Sequence, residues 1–231
     1  MLGAARLHRP EERRATGLTL LEGPHLLEEA YSTGVVVREV FSLDGSEGIL
    51  VSQAALERMS STRTPQSPVA VIEIPPRPLT PGRSVLAAWE ISDPGNLGTM
   101  IRTAAAFGLD VMTTAGSADL WSPRVLRSAA GAHFHTGLSP LDLKGFTSVA
   151  TTMTGGADPS ALPDGPLAIV IGSEAHGLPA SVLASADHLV SIPMPGGTES
   201  LNAAAAAAII CYEVSKRSGV GGLKSPGARS S

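Results

Sequence analysis

Three short segments rich in glycine and asparagine hold the residues of this chain that could do chemistry. They are DPGNLGTMIR at residues 93–102, IVIGSEAHGL at 169–178 and IPMPGGTESLNA at 192–203. Each begins where an apolar strand is predicted to end. Open α/β sheets bind ligands beyond the carboxyl ends of their strands, and glycine lets the backbone approach a ligand closely. The three segments therefore predict one ligand site built from three loops.

The first segment combines a turn, the start of a helix and an arginine. Asp93 begins a turn at the end of a strand, and Asn96 is predicted to cap the helix that follows. Apolar residues then recur at helical spacing, so Arg102 lies off the buried side of this helix. A guanidinium is too basic to accept a proton readily, but it can grip a phosphate and stabilise developing negative charge. The alternative is a turn, a cap and a surface arginine.

The second and third segments predict close contact between loop backbone and a ligand. A buried strand runs into Gly172 and Glu174 in a Gly-x-Glu-x-x-Gly pattern, which lacks the glycine spacing of dinucleotide-binding loops. Ser200 is the predicted N-cap of an alanine-rich helix, whose free amides suit polar ligand groups. A solvated loop acid and a simple packed helix are the alternatives. The packed helix does not explain the Ser-Leu-Asn sequence at its start.

In order and spacing, the three segments resemble the signature motifs of the SpoU (TrmH-type) RNA 2′-O-ribose methyltransferases, over residues 85–213. The resemblance implies a catalytic domain with a C-terminal trefoil knot. It implies that the chain uses S-adenosyl-L-methionine to methylate a ribose 2′-hydroxyl of RNA, and that it forms a homodimer. The resemblance implies that Arg102 is the essential catalytic residue, because Asn96 and Arg102 match the family pattern Asn-x-Gly-x-x-x-Arg. Its role as the literal general base is left open.

The same resemblance implies roles for the residues around Arg102. Glu174 is expected to order the site and to touch the arginine. The other residues implied in catalysis are Asn96, Ser200 and Asn202. The residues implied in cofactor binding are Gly172, Ile192, Met194 and Leu201. The residues implied in RNA binding are Arg13, Arg14 and Arg127, with a solvated arm (Arg13, Arg14) or a structural ion pair (Arg127) as the alternative.

The chain is predicted to have two domains. Residues 1–75 fit a small β-α-β-α-β unit. Stretches at 21–30 and 62–70 resemble the ribosomal-protein-like RNA substrate-binding domain of many SpoU enzymes, trimmed between Phe41 and Ser52. Four prolines within residues 75–82 predict a stiff linker over 76–83. Residues 84–217 alternate strands and helices, which predicts a parallel sheet covered by helices. Residues 218–231 are rich in glycine and serine and are predicted to be disordered.

Composition limits the classes of function. The net charge of −4 gives no global sign of an RNA-binding protein, so RNA binding needs local basic patches, which dimerisation could assemble. The one cysteine, Cys211, rules out an internal disulfide framework and fits a reducing cytoplasm. The longest apolar run, residues 203–212, is too short to span a membrane. His133 and His135 are expected to alternate on a strand without a carboxylate, which argues against a metal.

Two rival functions remain open at this point. A non-catalytic RNA-binding or ribosome-assembly factor could keep the same fold, and it should tolerate loss of Arg102. A dehydrogenase-like nucleotide enzyme is disfavoured because the chain lacks Gly-x-Gly-x-x-Gly and a Walker lysine loop. Both rRNA and tRNA fit as substrates. The ribosomal-protein-like N-terminal domain favours 23S rRNA.

Overall fold

A computed structural model of the chain describes residues 2–62, 64–198 and 200–217. The predicted disordered tail, residues 218–231, lies outside the described residues. Two sheets organise the described chain, a four-stranded sheet in the N-terminal part and a six-stranded sheet in the C-terminal part. None of the described helices is long and apolar enough to cross a membrane.

The N-terminal part contains the predicted β-α-β-α-β unit, with two helices before it and one extra strand inside it. Its strands follow the order β1-β4-β2-β3, antiparallel except for the parallel pair of β2 and β3. The elements are α1 (Leu2–Arg6), α2 (Pro10–Thr16), β1 (Leu18–Glu22), α3 (Pro24–Ser32), β2 (Val37–Ser42), β3 (Ile49–Leu50), α4 (Gln53–Met59) and β4 (Val69–Glu73).

Local chemistry explains the predicted and the unpredicted parts of this unit. Ser52 caps α4, because its Oγ accepts a hydrogen bond of 3.3 Å from the amide of Ala55. The two-residue strand β3 was not predicted. It follows Gly48, where a Cβ atom would lie 2.3 Å from the carbonyl oxygen of Val40. Glycine there lets the short connection fold back onto β2.

The C-terminal part confirms the predicted parallel sheet. All six strands are parallel, in the order β10-β8-β9-β5-β6-β7. The strands are β5 (Val85–Ala88), β6 (Asp110–Thr113), β7 (Leu138–Pro140), β8 (Thr147–Thr151), β9 (Leu167–Ile171) and β10 (His188–Val190). The prediction that His133 and His135 alternate on a strand is wrong, because Ala132–Phe134 forms a 3₁₀ helix and β7 begins later.

Helices pack against this sheet, and two of them pack closely on each other. They are α5 (Pro94–Ala106), α6 (Pro123–Ser128), α7 (Ala180–Ser185) and α8 (Ala203–Arg217). Leu97 and Ile101 of α5 join Ala207 and Cys211 of α8 in one fully buried core cluster. Small alanine side chains let α8 approach α5. The trefoil knot implied by the resemblance stays a prediction.

The proline-rich connection is held against the large sheet. Residues 74–84 form no helix or strand. The buried carboxylate of Asp110 accepts a hydrogen bond from the amide of Thr80 at 2.5 Å and one from Nη1 of Arg83 at 3.1 Å. It also accepts one from the amide of Gly137 at 2.9 Å, so one side chain fixes the linker to the start of β6 and β7.

Candidate active site

Glu174 lies where the three predicted loops meet. Its Oε1 accepts hydrogen bonds from Nδ2 of Asn96, from Nδ2 of Asn202 at 3.1 Å and from the amide of Ala203 at 3.3 Å. Nδ2 of Asn202 also donates to Oδ1 of Asn96 at 3.0 Å. Asn96, Glu174 and Asn202, which we call the clasp, therefore join one residue from each of the three segments.

Asn96 can join the clasp because another residue caps α5. The predicted cap at Asn96 is wrong. Asp93 caps α5, with its Oδ1 accepting a hydrogen bond of 2.7 Å from the amide of Asn96. Proline favours the first helical position, so Pro94 moves the cap back to Asp93. Asn96 falls inside the first turn, and its side-chain amide is left free for Glu174.

The start of α8 differs from the prediction in the same way. Ser200 is not the cap. Oδ1 of Asn202 accepts hydrogen bonds from the amides of Ala204 at 2.9 Å and Ala205 at 3.2 Å. Asn202 therefore caps α8 with its oxygen and joins the clasp with its nitrogen. Glu174 places a negative charge at this helix start, where the helix dipole stabilises an anion by about 0.3–1 kcal/mol.

Arg102 lies on the exposed surface of α5, in the same helix as Asn96. The predicted contact between Glu174 and Arg102 is not made in the described chain. There the guanidinium of Arg102 makes no hydrogen bond or ion pair. An exposed arginine without a partner can bind an external phosphate through two parallel N–H donors.

A cavity of about 310 Å³ adjoins the clasp. Glu174 and Ser200 line it, while Asn96, Arg102 and Asn202 do not. The residues predicted to bind the cofactor all line this cavity: Gly172, Ile192, Met194 and Leu201. Arg102 is therefore not part of the cavity wall, and it is connected to the cavity through α5 and the clasp.

Several lining residues were not predicted from the sequence. They are Thr151, Thr152, Met153, His176, Leu178 and Leu183. The first three follow or end β8, which is the neighbour of β9 in the sheet. The rule that ligands bind at the carboxyl ends of strands would have found them, but it needs the strand order, which the sequence does not contain.

The loop after β9 is tight because of Gly172. A Cβ atom there would lie 2.3 Å from both the carbonyl carbon and the oxygen of Gly177. The loop closes on itself through a 2.8 Å hydrogen bond from the amide of Gly177 to the carbonyl of Ser173. Glycine at 172 is thus required by contact of the loop with itself, and the closed loop holds Glu174 in position.

The cavity fits S-adenosyl-L-methionine in size and chemistry. Its volume is at the lower end of the roughly 300–1,000 Å³ common for small-molecule sites. Buried Ile171, Leu178 and Ile210 supply apolar walls for a flat adenine ring. The hydroxyls of Thr152 and Ser200 and the carboxylate of Glu174 supply polar groups for ribose hydroxyls and a charged amine.

The three arginines predicted to bind RNA differ in accessibility. Arg13 is 2% exposed and forms an ion pair of 2.6 Å with Asp119. Its Nη1 also donates to the carbonyl of Leu7. The structure therefore gives Arg13 a structural role in place of the expected phosphate contact. Arg14, the next residue, is exposed.

Arg127 makes the structural ion pair that was the alternative to an RNA role. Its Nη1 lies 3.5 Å from Oε2 of Glu22 and donates to Oγ of Ser61 at 2.9 Å. His135 similarly bonds the carboxylate of Glu29 at 2.7 Å. Both contacts join α6 and the residues after it to the N-terminal part. Among the described residues, no group of three or more His, Cys, Asp or Glu side chains is arranged to hold a metal.

Comparison with known proteins decides the family. Residues 83–212, more than half of the chain, match the model of the SpoU rRNA methylase family. The chain belongs to this family. It is 36% identical over 230 residues to the 23S rRNA (guanosine(2553)-2′-O)-methyltransferase RlmP of Bacillus subtilis, with 90% of this chain and 93% of RlmP covered.

Solved structures of SpoU methyltransferases share the whole fold. An RNA 2′-O ribose methyltransferase superposes with a TM-score of 0.81 and 28% identity, covering 94% of this chain and 95% of its own. AviRb from Streptomyces viridochromogenes, solved with AdoMet, gives a TM-score of 0.82 and 25% identity, covering 94% and 97%. The predicted class, an RNA 2′-O-ribose methyltransferase that uses S-adenosyl-L-methionine, is confirmed and is favoured over the non-catalytic factor.

Proposed function

We propose that this SpoU enzyme methylates a ribose 2′-hydroxyl of 23S rRNA, as a cytoplasmic homodimer whose N-terminal domain holds the RNA. The observation that carries the proposal is the clasp, which ties the loop of a cofactor-sized cavity to α5, the helix that carries the exposed Arg102. The likeness to RlmP, a 23S rRNA enzyme covered over 93% of its length, supports rRNA over tRNA.

S-adenosyl-L-methionine, when bound, supplies a methyl group on a positively charged sulfur. The residues of this chain then have three tasks. The cavity holds the cofactor away from water. The clasp fixes α5 relative to the cavity, and with it the backbone that carries Arg102. Ser200, exposed beside the cavity, offers a hydroxyl near the reacting ribose.

Arg102 has the task that matters most for chemistry. A ribose 2′-hydroxyl is a weak nucleophile that must lose its proton as it attacks. The guanidinium can hold the neighbouring phosphate in a fork and stabilise negative charge that develops on the oxygen. Both actions need a free arginine at the surface, which Arg102 provides.

The homodimer is supported by exposed apolar residues on α8, next to the end of α5. Ile209 is 40% exposed and Tyr212 is 51% exposed. Tyr212 packs edge-to-face on Phe107, the residue after α5, with ring centroids 5.9 Å apart. Arg102 is also exposed on α5. A second copy on this face would therefore bring two active sites together and gather arginines from both copies, which supports RNA binding by an acidic chain.

The test is transfer of labelled methyl from S-adenosyl-L-methionine to separate 23S rRNA and tRNA fractions from a strain that lacks this gene. We expect label in 23S rRNA at a ribose 2′-oxygen. Arg102→Ala should lower the rate at least about 100-fold and leave cofactor affinity unchanged, because Arg102 does not line the cavity. Label in tRNA alone would overturn the choice of substrate. Normal function with Arg102→Ala would favour the non-catalytic binding factor.

A further inference from the structure

A second cavity, of about 440 Å³, opens in the N-terminal domain. It lies between α3, the end of β2 with the chain that follows it, and the residues just before β4. None of the residues of the clasp or the cofactor cavity lines it. We call it the acidic pocket, because Glu28, Asp44 and Glu47 all line it.

Charge decides which part of an RNA could enter the acidic pocket. Among the described residues that line it there is no lysine, arginine or histidine. Three carboxylates repel a phosphate group. Ionised carboxylates only accept hydrogen bonds, so they suit a group with several N–H donors and no negative charge.

An aromatic ring and a buried hydroxyl complete the pocket. Tyr31 is 50% exposed, and its phenol donates a hydrogen bond of 2.5 Å to Oε1 of Glu47, which fixes the ring. Ser42 is only 2% exposed, and within the described chain its Oγ has no partner at hydrogen-bonding distance. Beside it, hydrogen bonds from the hydroxyl and the amide of Ser46 lower the pKa of the Asp44 carboxyl. The pocket therefore offers a fixed ring face and an unused hydroxyl beside a carboxylate.

We propose that the acidic pocket binds one unpaired base of the substrate RNA, a base that carries an exocyclic amine. Proteins read single-stranded RNA by stacking splayed bases on aromatic rings and bonding their edges. Tyr31 supplies the stacking surface, and the carboxylates accept from the amine. Guanine suits them best because its N1–H and amine donate side by side, whereas the single donor of uracil lies between two carbonyl oxygens.

This inference rests on the proposed function, since it assumes that the N-terminal domain holds RNA. The pocket deepens that proposal by naming the feature of the RNA that the domain selects. A domain with an acidic pocket can still bind RNA, because the pocket that reads a base is separate from the basic groups that attract phosphate.

The experiment compares two neutralised acids on the full-length protein. Glu28 and Glu39 are both exposed, and neither makes a hydrogen bond or ion pair in the described chain. Glu28 lines the pocket and Glu39, on β2, does not. Removing a negative charge from an RNA-binding surface should tighten binding if only long-range electrostatics act. Loss of affinity in Glu28→Gln alone therefore reports direct contact.

The dissociation constant is measured by filter binding to 23S rRNA from a strain lacking the gene, with methyl transfer measured in parallel. We expect Glu28→Gln to raise the dissociation constant about tenfold. Glu39→Gln should leave the dissociation constant unchanged or lower it. Tyr31→Ala should raise it about tenfold, while Tyr31→Phe keeps the ring and restores binding. Cofactor affinity should not change in any variant.

The outcomes separate this inference from the proposed function. If Glu28→Gln and Glu39→Gln shift affinity alike, and Tyr31→Ala equals Tyr31→Phe, the acidic pocket does not bind a base, even if the RNA is methylated. If the RNA is bound through the pocket but never methylated, the pocket stands and the assignment of the substrate fails. If the protein does not bind the RNA at all, both are overturned.

Discussion

Nδ2 of Asn202 donates a hydrogen bond of 3.0 Å to Oδ1 of Asn96, although 106 residues separate them in the chain. Both amides also donate to Glu174. The first turn of α5 and the first turn of α8 are thereby fixed to each other and to the loop after β9. Arg102 depends on this arrangement for its position, since it belongs to α5.

Asn202 has two functions that one substitution can separate. Asn202→Asp keeps an oxygen to cap α8, but it loses both N–H donors and places a second carboxylate beside Glu174. We expect a melting temperature close to wild type and a loss of about 100-fold in kcat/KM for methyl transfer, since small misplacements of reacting groups cost that much. Differential scanning fluorimetry and the methyl-transfer assay measure the two effects.

Asn202→Ala is the matched comparison, because it removes the cap as well as the donors. It should lose the same activity and, in addition, about 1 kcal/mol of stability. An Asp variant with wild-type activity would mean that the clasp does not position the catalytic residues.

Gly172 should tolerate no side chain. A Cβ atom at this position would lie 2.3 Å from two backbone atoms of Gly177, neither of which can rotate away. Such overpacking typically costs about 1–3 kcal/mol. We expect Gly172→Ala to weaken the binding of S-adenosyl-L-methionine at least about tenfold, as measured by isothermal titration calorimetry. Gly196→Ala is the control, because a Cβ atom at Gly196 would meet nothing within 4 Å. Equal affinities in the two variants would contradict this account of the loop.

Much of this architecture was predictable because it depends on local pattern. Alternating apolar segments predicted the parallel sheet, and the three Gly- and Asn-rich loops predicted the cavity. The helix caps were harder. Asp93 and Asn96 are both good capping residues, and the sequence does not say which one the chain uses. The structure selects Asp93, because Pro94 occupies the first helical position and Glu174 requires the side chain of Asn96.

Contacts between distant segments were not predictable. In the sequence, Arg13 lies close to two other basic residues, Arg9 and Arg14. A basic cluster of this kind favours a phosphate site. The ion pair of Arg13 is made with Asp119, which lies 106 positions away and comes close only when α2 meets the chain between β6 and α6. The same holds for Arg127 and Glu22. Sequence spacing carries no information about such pairs.

The exposed apolar face of α8 leads to a prediction about oligomeric state. Ile209→Glu places a charge on that face without removing buried core, since Ile209 is 40% exposed. If the face is the dimer interface, the variant should elute as a monomer in size-exclusion chromatography with light scattering. Leu50→Glu is the control, because Leu50 is also an exposed apolar residue, at 66%, but lies on β3 of the other sheet. A dimer that survives Ile209→Glu would place the interface elsewhere.

His133 leads to a prediction about pH. Its ring is fully buried against Trp121, at 5.3 Å between centroids, and its Nε2 bonds the carbonyl of Leu120 at 2.7 Å. Burial lowers the pKa of His133 from 6.5 to about 4, against the opposing effect of the Leu120 hydrogen bond. At a pH between these two pKa values, His133 is mostly protonated in the unfolded chain and mostly neutral in the folded chain. Folding stability contributed by the neutral ring is therefore complete above pH 6.5 and falls as the pH decreases towards 4.

The expected loss is about 3 kcal/mol over that interval, since each unit of pKa difference is worth about 1.4 kcal/mol. Urea unfolding from pH 7.5 to pH 4.5 measures it. His133→Gln is the comparison, because glutamine can still donate to the Leu120 carbonyl but does not titrate. Other titrating groups affect both proteins alike and cancel in the difference. We therefore expect the wild type to lose more stability than the variant on acidification. Two parallel curves would contradict this account, because the ring would then be protonated inside the fold. In the described chain the buried Nδ1 has no hydrogen-bond partner that could accept its proton.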